Sequence, residues 1–320
     1  FDGVLGVLLG IAAVQALGGR RLPFAVEVLG FSEEEGIRYR VPYLGSLATA
    51  GRFDLMLLER IDAHAVTLAE AIRAFGLDPA QIPMAAYPRQ RILGYLEAHV
   101  EQGPVLEKLN LPVGIVAAIV GHSRLWASFQ GNAGHAGTLP MEDRHDALAA
   151  AAEFVLEVER LARSVDGLRA TVGALTVKPG AVNVVPGLAT FSLDVRHADD
   201  AVRQRAVAQL LDQAEDLARK RGVRFHMEHI EQQPAVKADP RLTKMLVAAV
   251  ETMGFPAMHM VSGAGHDAAV MASLTPMTML FLRSPGGVSH HPDEAVVPGD
   301  VQVALEVMVN FLFCLAGGLP

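Results

Sequence analysis

The sequence contains very little cysteine and few aromatic residues. Cys314 is the single cysteine among 320 residues, and aromatic side chains make up 6% of the chain. One cysteine excludes an intrachain disulfide framework and a thiolate metal cluster, and it suits a reducing compartment. We therefore predict a cytoplasmic protein that is held together by a hydrophobic core.

Positive charge is also scarce relative to negative charge. The chain has 27 lysines and arginines against 35 aspartates and glutamates, a formal net charge of −8. A nucleic-acid partner would need a basic face, so we predict none. Hydrophobic residues at 51% and charged residues at 19% also exclude global disorder and a coiled coil. A soluble globular protein with one large domain or two smaller ones remains.

Long hydrophobic runs are scarce as well. The apolar segment 4–17 falls short of the roughly 20 residues that cross a bilayer. Asp2 stands where a signal peptide would carry basic residues. We predict a buried helix at this position and no membrane partner.

The pattern of apolar residues predicts two kinds of domain. Residues 1–116 alternate between helix signals (4–17, 54–75) and strand signals (24–31, 95–100), which is typical of a parallel α/β sheet. Further along, the pattern predicts strands at 114–120, 124–129, 170–177, 189–195 and 223–230, helices at 146–163 and 200–221, and then helix 241–253, strand 277–282 and helix 301–315.

The order of these elements predicts that one domain is inserted into the other. The middle part has strands and helices in the order of an antiparallel sheet with helices on one face, and α/β alternation returns from about residue 239. The predicted fold class is α/β. It has a mixed, mainly parallel sheet domain (1–116 and 233–320) and an inserted α+β domain (117–232).

Three consecutive glutamates follow the first predicted strand. Glu33, Glu34 and Glu35 crowd what would be the carboxyl end of strand 24–31, the edge where open α/β sheets place their sites. Their mutual repulsion is unfavourable unless a cation, a proton or solvent relieves it. The segment is therefore either a solvated acidic loop or a metal site with a neighbouring general base.

Other candidate metal ligands stand near predicted strand ends. His99 lies at the end of strand 95–100, one residue before its last, and His290 and His291 lie in a glycine-rich loop after strand 277–282. Asp2 precedes the first helix, where an aspartate is otherwise an N-cap. Taken together, Asp2, Glu35, His99 and His290 supply oxygen and nitrogen ligands from four strand ends of one sheet. Such a set suits Zn²⁺, Mn²⁺ or Co²⁺, and an aspartate can bridge two of these ions.

Polar groups also concentrate at turns of the inserted domain. His135 lies among small residues, Asn183 opens the segment 183–187, and Arg196 ends a strand. Arg196 either clamps a substrate carboxylate through its planar fork or pairs with a surface acid. The small residues around His135 mark either a site of close approach to the backbone or a plain turn. The glycine-rich segment 262–267 lacks a phosphate-loop spacing, and no serine elbow or reactive cysteine motif is present.

These motifs resemble those of a known enzyme family. The resemblance is to the N-carbamoyl-L-amino-acid hydrolase and allantoate amidohydrolase family of di-metal hydrolases, and it runs in order along essentially the whole chain. The motifs that carry it are residues 1–6 (FDGVLG), 31–36 (FSEEEG), 99–104 (HVEQGP), 134–138 (GHAGT), 183–187 (NVVPG), 262–267 (SGAGHD) and 286–290 (GGVSH).

The resemblance implies a role for each matching residue. In the family pattern, the aspartate at position 2 bridges two metal ions (Zn or Mn, with Co possible), and Glu34 is the general base that deprotonates the attacking water. The other implied roles are His99 as a ligand of one ion; Glu35 and His290 as ligands of the other; His135, across a dimer interface, as oxyanion stabiliser; Asn183 and Arg196 as substrate-carboxylate ligands; and Gln102 as a pocket residue. His291 matches no role.

The resemblance also implies a function and an assembly. We expect a metal-dependent amidohydrolase that cleaves the ureido C–N bond of allantoate or an N-carbamoyl-L-amino acid, with the inserted domain as a lid that forms a homodimer. The family carries a further metal-binding histidine that would precede Phe1, so we expect an N-terminally truncated sequence. The alternatives are an aminoacylase or dipeptidase, and an inactive dimerising fragment.

Overall fold

A computed structural model describes residues 1–318 and divides the chain into two compact units. Within the described residues, the first unit comprises 1–119 and 237–318, and the second comprises Val120–Val236. These bounds lie a few residues C-terminal to the predicted ones. The first unit is built on a mixed α/β sheet and the second is α+β, so the predicted fold class is confirmed.

The elements follow in chain order within residues 1–318. The helices are α1 (Val4–Ala16), α2 (Leu44–Thr49), α3 (Leu68–Ala74), α4 (Val105–Leu109), α5 (Ala147–Ser164), α6 (Asp200–Arg221), α7 (Pro240–Thr252), α8 (Asp267–Met271) and α9 (Pro298–Gly317). The strands are β1 (Tyr95–Val100), β2 (Val113–Ile119), β3 (Gly121–Gln130), β4 (Gly134–His135), β5 (Arg169–Thr171), β6 (Leu175–Lys178), β7 (Val184–Val185), β8 (Leu188–His197), β9 (Arg224–Gln233), β10 (Val236–Lys237), β11 (His259–Ser262) and β12 (Met277–Leu282). Short 3-10 helices cover Leu55–Glu59, Pro79–Ala85, Arg89–Arg91, Met141–Asp143 and Pro285–Gly287.

The sheet of the first unit has the order β1-β12-β2-β10, with β11 also paired to β2. β1 and β12 run parallel, with His99 opposite Phe281, whereas β12 and β2 run antiparallel. β12 is buried along its whole length, which agrees with its uninterrupted apolar sequence. The parallel pair matters for function because both of its carboxyl ends lie at one edge of the sheet.

Helix α9 is by length and composition apolar enough to cross a membrane. Its buried residues include Ala304, Val307 and Phe311, and they pack in the core of the first unit. The helix therefore has the contacts of a core helix.

The second unit packs two helices on one face of an antiparallel sheet. The sheet has the order β5-β8-β3-β9, with β6 also paired to β8, and α5 and α6 cover the face that holds the core. Asp146 and Asp199 cap the two helices by accepting hydrogen bonds from the first free backbone amides. β4 and β7 form a separate two-stranded pair.

Leucine burial on α5 gives a matched test of this packing. Leu161 is 3% exposed in the core of the second unit, whereas Leu156 on the same helix is 65% exposed. Leu161→Ala is expected to lower the free energy of unfolding by about 2–5 kcal/mol, because it leaves a cavity. Leu156→Ala is expected to change it by less than about 0.5 kcal/mol. Urea unfolding measures both, and equal losses would contradict the assignment.

Two predicted elements of the first unit are wrong. Residues 24–31 form no strand, because within residues 1–318 no ladder of backbone hydrogen bonds includes them. The predicted helix 54–75 is interrupted. The Asp62 carboxylate accepts hydrogen bonds from the amides of His64 and Val66, and this turn separates the 3-10 helix at Leu55–Glu59 from α3.

One strand belongs to a different unit than predicted. The predicted order of elements counted strand 114–120 with the antiparallel sheet, although the predicted boundary between 116 and 117 divided it. In the structure, β2 pairs with β12 and β11 in the sheet of the first unit. β2 ends at Ile119 and β3 begins at Gly121, so no loop in the sequence marks the boundary between the two units. The predicted strand 170–177 is likewise two strands, β5 and β6.

Candidate metal and catalytic site

Asp2 lies at the centre of a polar cluster in the first unit. Its Oδ1 is 2.9 Å from His99 Nε2 and its Oδ2 is 3.1 Å from His290 Nε2. Helix α1 has Gly3 as its N-cap and no side-chain cap, so the interpretation of Asp2 as a capping residue is wrong. The hydrogen bond from His99 lowers the pKa of the Asp2 carboxyl below its usual range. The carboxylate is therefore ionised and has both oxygens directed at imidazole nitrogens.

His99 is fixed by the strand that carries it. It is the next-to-last residue of β1, and its Nδ1–H donates to the carbonyl of Val100 at 2.8 Å. This bond leaves Nε2 facing Asp2. Burial lowers the pKa of His99, but the hydrogen bonds that its ring donates to Asp2 and Val100 and the nearby carboxylates raise it to about 9. The ring is therefore an imidazolium at neutral pH, and its two N–H groups donate to Asp2 Oδ1 and to the carbonyl oxygen of Val100.

His290 completes the cluster from the loop after β12. Its Nε2 lies 3.2 Å from Glu35 Oε1, and one ligand atom each from Asp2, Glu35 and His290 all lie within 4.8 Å of one another. The predicted set of four strand ends is wrong in detail. Only His99, within β1, and His290, in the loop after β12, belong to strand ends of the sheet, because residues 24–31 are no strand and Asp2 precedes a helix.

Gln102 connects the cluster to the loop that carries His290. Its side-chain amide donates to Asp2 Oδ2 at 2.8 Å and to Ser289 Oγ at 3.0 Å. Gln102 and His290 both have positive φ, 58° and 55°. Non-glycine residues rarely adopt this conformation, and such strain is common at functional sites. His291 points elsewhere and pairs with Asp293 at 3.5 Å.

The donor set fits divalent transition-metal ions. Carboxylate oxygens and imidazole nitrogens are the ligands that Zn²⁺ and Mn²⁺ take, and a carboxylate with both oxygens engaged can join two ions. The Nδ1–H bond of His99 to a main-chain carbonyl is the outer contact that usually orients a metal-binding histidine. An ion held there would take the lone pair of His99 Nε2 in place of the proton.

Glu34 lines the same cavity and remains outside the three-residue ligand group. The cavity has a volume of about 900 Å³ and is lined by residues of the first unit, including Asp2, Glu34 and His99. Burial and the negative charge of Glu35 raise the pKa of Glu34 to about 7. A carboxyl group that titrates near neutral pH can both accept and return a proton, as a general base must.

Sequence reasoning missed a buried polar layer beneath the cluster. The ring of His266 stacks edge-on against His99 at 4.6 Å, and its Nε2 is 2.6 Å from Ser262 Oγ. Glu97 accepts hydrogen bonds from Tyr95 Oη and from the amide of Ala268. Burial lowers the pKa of His266 to about 3 and raises that of Glu97 to about 7. The spacing was a usable signal, since Glu97 stands two residues before His99 on one strand and therefore shares its face.

The second unit brings His135 and Asn183 together. β4 pairs with β7 with His135 opposite Val184, and the amide of Ala136 donates to the carbonyl of Asn183 at 2.8 Å. Both side chains are exposed. His135 and Asn183 are 48 residues apart in the sequence, and the pairing of β4 with β7 brings their two motifs together.

Arg196 lies on β8 of the same unit and pairs with an acid. Its Nε is 2.8 Å from Asp194 Oδ1, and its Nη2 is 2.9 Å from Asp194 Oδ2. Arg124 also donates to Asp194 Oδ2 at 2.9 Å. The carboxylate of Asp194 therefore keeps one cationic partner if Arg196 turns to another anion. The role of Arg196 toward a substrate stays a prediction.

Comparison with known proteins settles the family. The model of peptidase family M20/M25/M40 matches residues 1–313. This chain belongs to that family. Its sequence is 39% identical over 322 residues to the N-carbamoyl-L-amino acid amidohydrolase of Geobacillus stearothermophilus. The match covers 99% of this chain and 78% of that protein. The resemblance predicted from the motifs is thereby confirmed.

Two further relatives support the same placement. Allantoate deiminase 1 of Glycine max is 36% identical to this chain over 345 residues. The match covers 98% of this chain and 71% of that protein. The crystal structure of an amidase of the hydantoinase/carbamoylase family from Burkholderia multivorans superimposes with a TM-score of 0.90. Its sequence identity is 32%, and the match covers 98% of this chain and 76% of that one.

Proposed function

We propose that the protein is a metal-dependent amidohydrolase that cleaves the ureido C–N bond of allantoate or of an N-carbamoyl-L-amino acid. The observation that carries this proposal is the Asp2 carboxylate held between His99 and His290, with Glu34 in the same cavity. The two classes of relative act, by their names, on these two kinds of compound. A cytoplasmic enzyme suits the single cysteine.

The residues that would hold two divalent ions are Asp2, Glu35, His99 and His290. Asp2 would contribute one oxygen to each ion, with His99 on one side and Glu35 with His290 on the other. Zn²⁺ or Mn²⁺ suits this mixture of ligands, and Co²⁺ also fits. Bound ions of this kind polarise the ureido carbonyl and make hydroxide available near neutral pH.

Glu34 performs the proton transfers in the proposed reaction. Its carboxylate takes a proton from the attacking water as the new C–O bond forms at the ureido carbon. It then returns that proton to the departing nitrogen as the C–N bond breaks, so that ammonia leaves and a carbamate remains. The carbamate decomposes to carbon dioxide and the amine. The pKa of about 7 allows both transfers near neutral pH.

The second unit and Gln102 would bind and polarise the substrate. Asn183 and Arg196 would hold the substrate carboxylate, through an amide and a planar guanidinium fork. His135 would donate a hydrogen bond to the oxyanion of the tetrahedral intermediate, a type of contact that commonly contributes about 10²–10³-fold to turnover. Gln102 would line the pocket beside Asp2, where its amide already lies.

The experiment that tests the proposal is ammonia release with Mn²⁺ supplied. The protein, expressed from its complete reading frame, is assayed with allantoate and with a series of N-carbamoyl-L-amino acids. Acetyl-amino acids and dipeptides serve as the matched comparison for an aminoacylase or dipeptidase. Ammonia from a ureido compound with much slower cleavage of the comparison compounds supports the proposal. Cleavage of the comparison compounds alone would replace it with the second candidate.

Metal binding is expected to displace a proton from His99. The ring holds its second proton up to its pKa of about 9, so a metal ion must compete with that proton below pH 9. The apparent affinity should therefore rise with pH and level off above about pH 9. Calorimetric titration at pH 7 in buffers of different ionisation enthalpy should show about one proton released from this site. Affinity that is independent of pH would contradict the assignment.

A homodimer formed through the second unit is also proposed, with His135 acting in the partner's site. A chain with Glu34→Gln and a chain with His135→Ala should then complement each other when they are mixed after dissociation. Random pairing gives heterodimers with one complete site, so about a quarter of the wild-type activity should return. Activity that stays at the level of the separate variants would contradict action across the interface.

A non-catalytic dimerising fragment is the remaining alternative. It predicts one or no tightly held divalent ion per chain, because a module without catalysis has no need of the full ligand set. Elemental analysis after dialysis distinguishes the two possibilities. About two ions per chain supports the hydrolase.

A further inference from the structure

His135 stands on a tight turn whose main chain fixes the state of its ring. The amide N–H of Gly137 donates to His135 Nδ1 at 3.1 Å. An amide can only donate, so Nδ1 accepts, and the neutral ring must carry its proton on Nε2. The ring therefore presents an N–H donor to the surroundings, which is what stabilisation of an oxyanion requires.

The turn itself is held by one side chain from the following segment. Arg144 Nη2 donates to the carbonyl of Ala136 at 2.6 Å and to that of Leu139 at 3.0 Å, and its Nε donates to Leu139 at 3.1 Å. Among residues 1–318, the guanidinium has no carboxylate partner, so its described hydrogen bonds all go to this turn. Arg144 is thus committed to the turn rather than to a surface ion pair.

Arg144 has a rigid anchor of its own. It follows the 3-10 helix Met141–Asp143 directly and stands two residues before Asp146, which caps α5. The adjacent carbonyl of His145 accepts a hydrogen bond from the amide of Asn132 at 3.0 Å. The position of the guanidinium is therefore tied to the main body of the second unit.

We infer that Arg144 is a positioning residue for His135: its guanidinium holds the turn 134–139 so that the ring offers its Nε2–H to the substrate. The guanidinium bridges the carbonyls on either side of the Gly137 amide, and that amide sets the tautomer of the ring. The inference rests on the oxyanion role proposed for His135. It assigns Arg144 no contact with the substrate.

The first test does not depend on activity, because it measures which tautomer the His135 ring adopts. Long-range nitrogen–proton NMR correlations of isotope-labelled histidine report which ring nitrogen carries the proton, and His135→Gln identifies the signal. The wild type and the control Arg163→Ala, which removes a surface arginine from the same unit, should show the Nε2–H form. Arg144→Ala should show exchange between both forms. An unchanged tautomer in Arg144→Ala would overturn the inference.

Kinetics provide the second readout. Arg144→Ala should lower kcat by about 10–100-fold, since small misplacement of a catalytic group has effects of this size, with little change in KM. Combining it with His135→Ala should cost nothing beyond His135→Ala alone, because both changes remove the same contact. A further multiplicative loss in the double variant would show a general structural role and overturn the inference. Arg144→Lys, which keeps the charge and a long side chain, should recover part of kcat, and it replaces Arg144→Ala if that variant does not fold.

These outcomes separate the inference from the proposed function. If no ureido compound is cleaved by the wild type, the proposed function fails, and the NMR comparison still decides whether Arg144 sets the His135 tautomer. If the wild type is active and the tautomer of Arg144→Ala is unchanged, only the inference fails.

Discussion

Glu34→Gln is expected to lower turnover of a ureido substrate by about 10²–10⁴-fold, the usual contribution of a general base. Glutamine keeps the size of the side chain and its contacts with the cavity but cannot accept a proton at neutral pH. Glu34 lies outside the group of Asp2, Glu35 and His290 that converges on a metal position, so metal content should be unchanged. Steady-state ammonia release and elemental analysis of the same preparation measure the two quantities.

The neighbouring glutamate supplies the matched control. The carboxylate of Glu33 accepts a hydrogen bond from the amide of Arg38 and belongs to the same acidic segment. Glu33→Gln should leave turnover within a factor of a few of the wild type, because it removes a similar charge without removing the base. Undiminished turnover in Glu34→Gln with normal metal content would exclude Glu34 as the base.

Asp2→Asn is expected to abolish metal binding at both positions and to reduce activity to the background. Asparagine lacks the negative charge and the second oxygen that a bridge between two cations needs. It would also leave the imidazolium of His99 without its anionic partner, so the pKa of His99 should fall from about 9. Elemental analysis and calorimetric titration with Mn²⁺ measure the loss of binding.

An aspartate with a purely structural role controls for the loss of charge. Asp54 caps the 3-10 helix at Leu55–Glu59 by accepting a hydrogen bond from the amide of Met56. Asparagine caps about as well as aspartate, so Asp54→Asn should keep both the fold and the metals. Two ions retained by Asp2→Asn would remove Asp2 from the proposed metal site.

Much of the fold could be predicted from the sequence because its periodicity is strong. Strand 95–100, strand 277–282 and helix 200–221 have the bounds that their patterns indicated. The wrong elements depend on contacts that no local pattern reports. Residues 24–31 have the composition of a buried strand, but a strand forms only where a neighbour supplies hydrogen bonds. The turn at Asp62 depends on a side chain that competes with the helix for backbone amides.

The sequence predicted the site residues whose side-chain types are themselves metal ligands. It did not predict the residues whose importance depends on their burial in the folded chain. Asp2, His99 and His290 were chosen as ligand types near predicted strand ends, and the structure brings both histidines within hydrogen-bond distance of Asp2. The layer formed by Glu97 and His266 was missed because its importance comes from burial and from contacts between distant segments. The contacts of Arg144 could not be predicted either, because its partners are main-chain carbonyls, which no residue type in the sequence indicates.

Metal dependence of ammonia release tests the central claim most directly. The protein is stripped with a chelator, Mn²⁺ is added back in steps, and ammonia from allantoate and from N-carbamoyl-L-amino acids is followed. The proposed site predicts no ammonia without metal and a rate that levels off at about two ions per chain. A rate that is the same with and without metal, or no ammonia from any ureido compound at saturating metal, would contradict it.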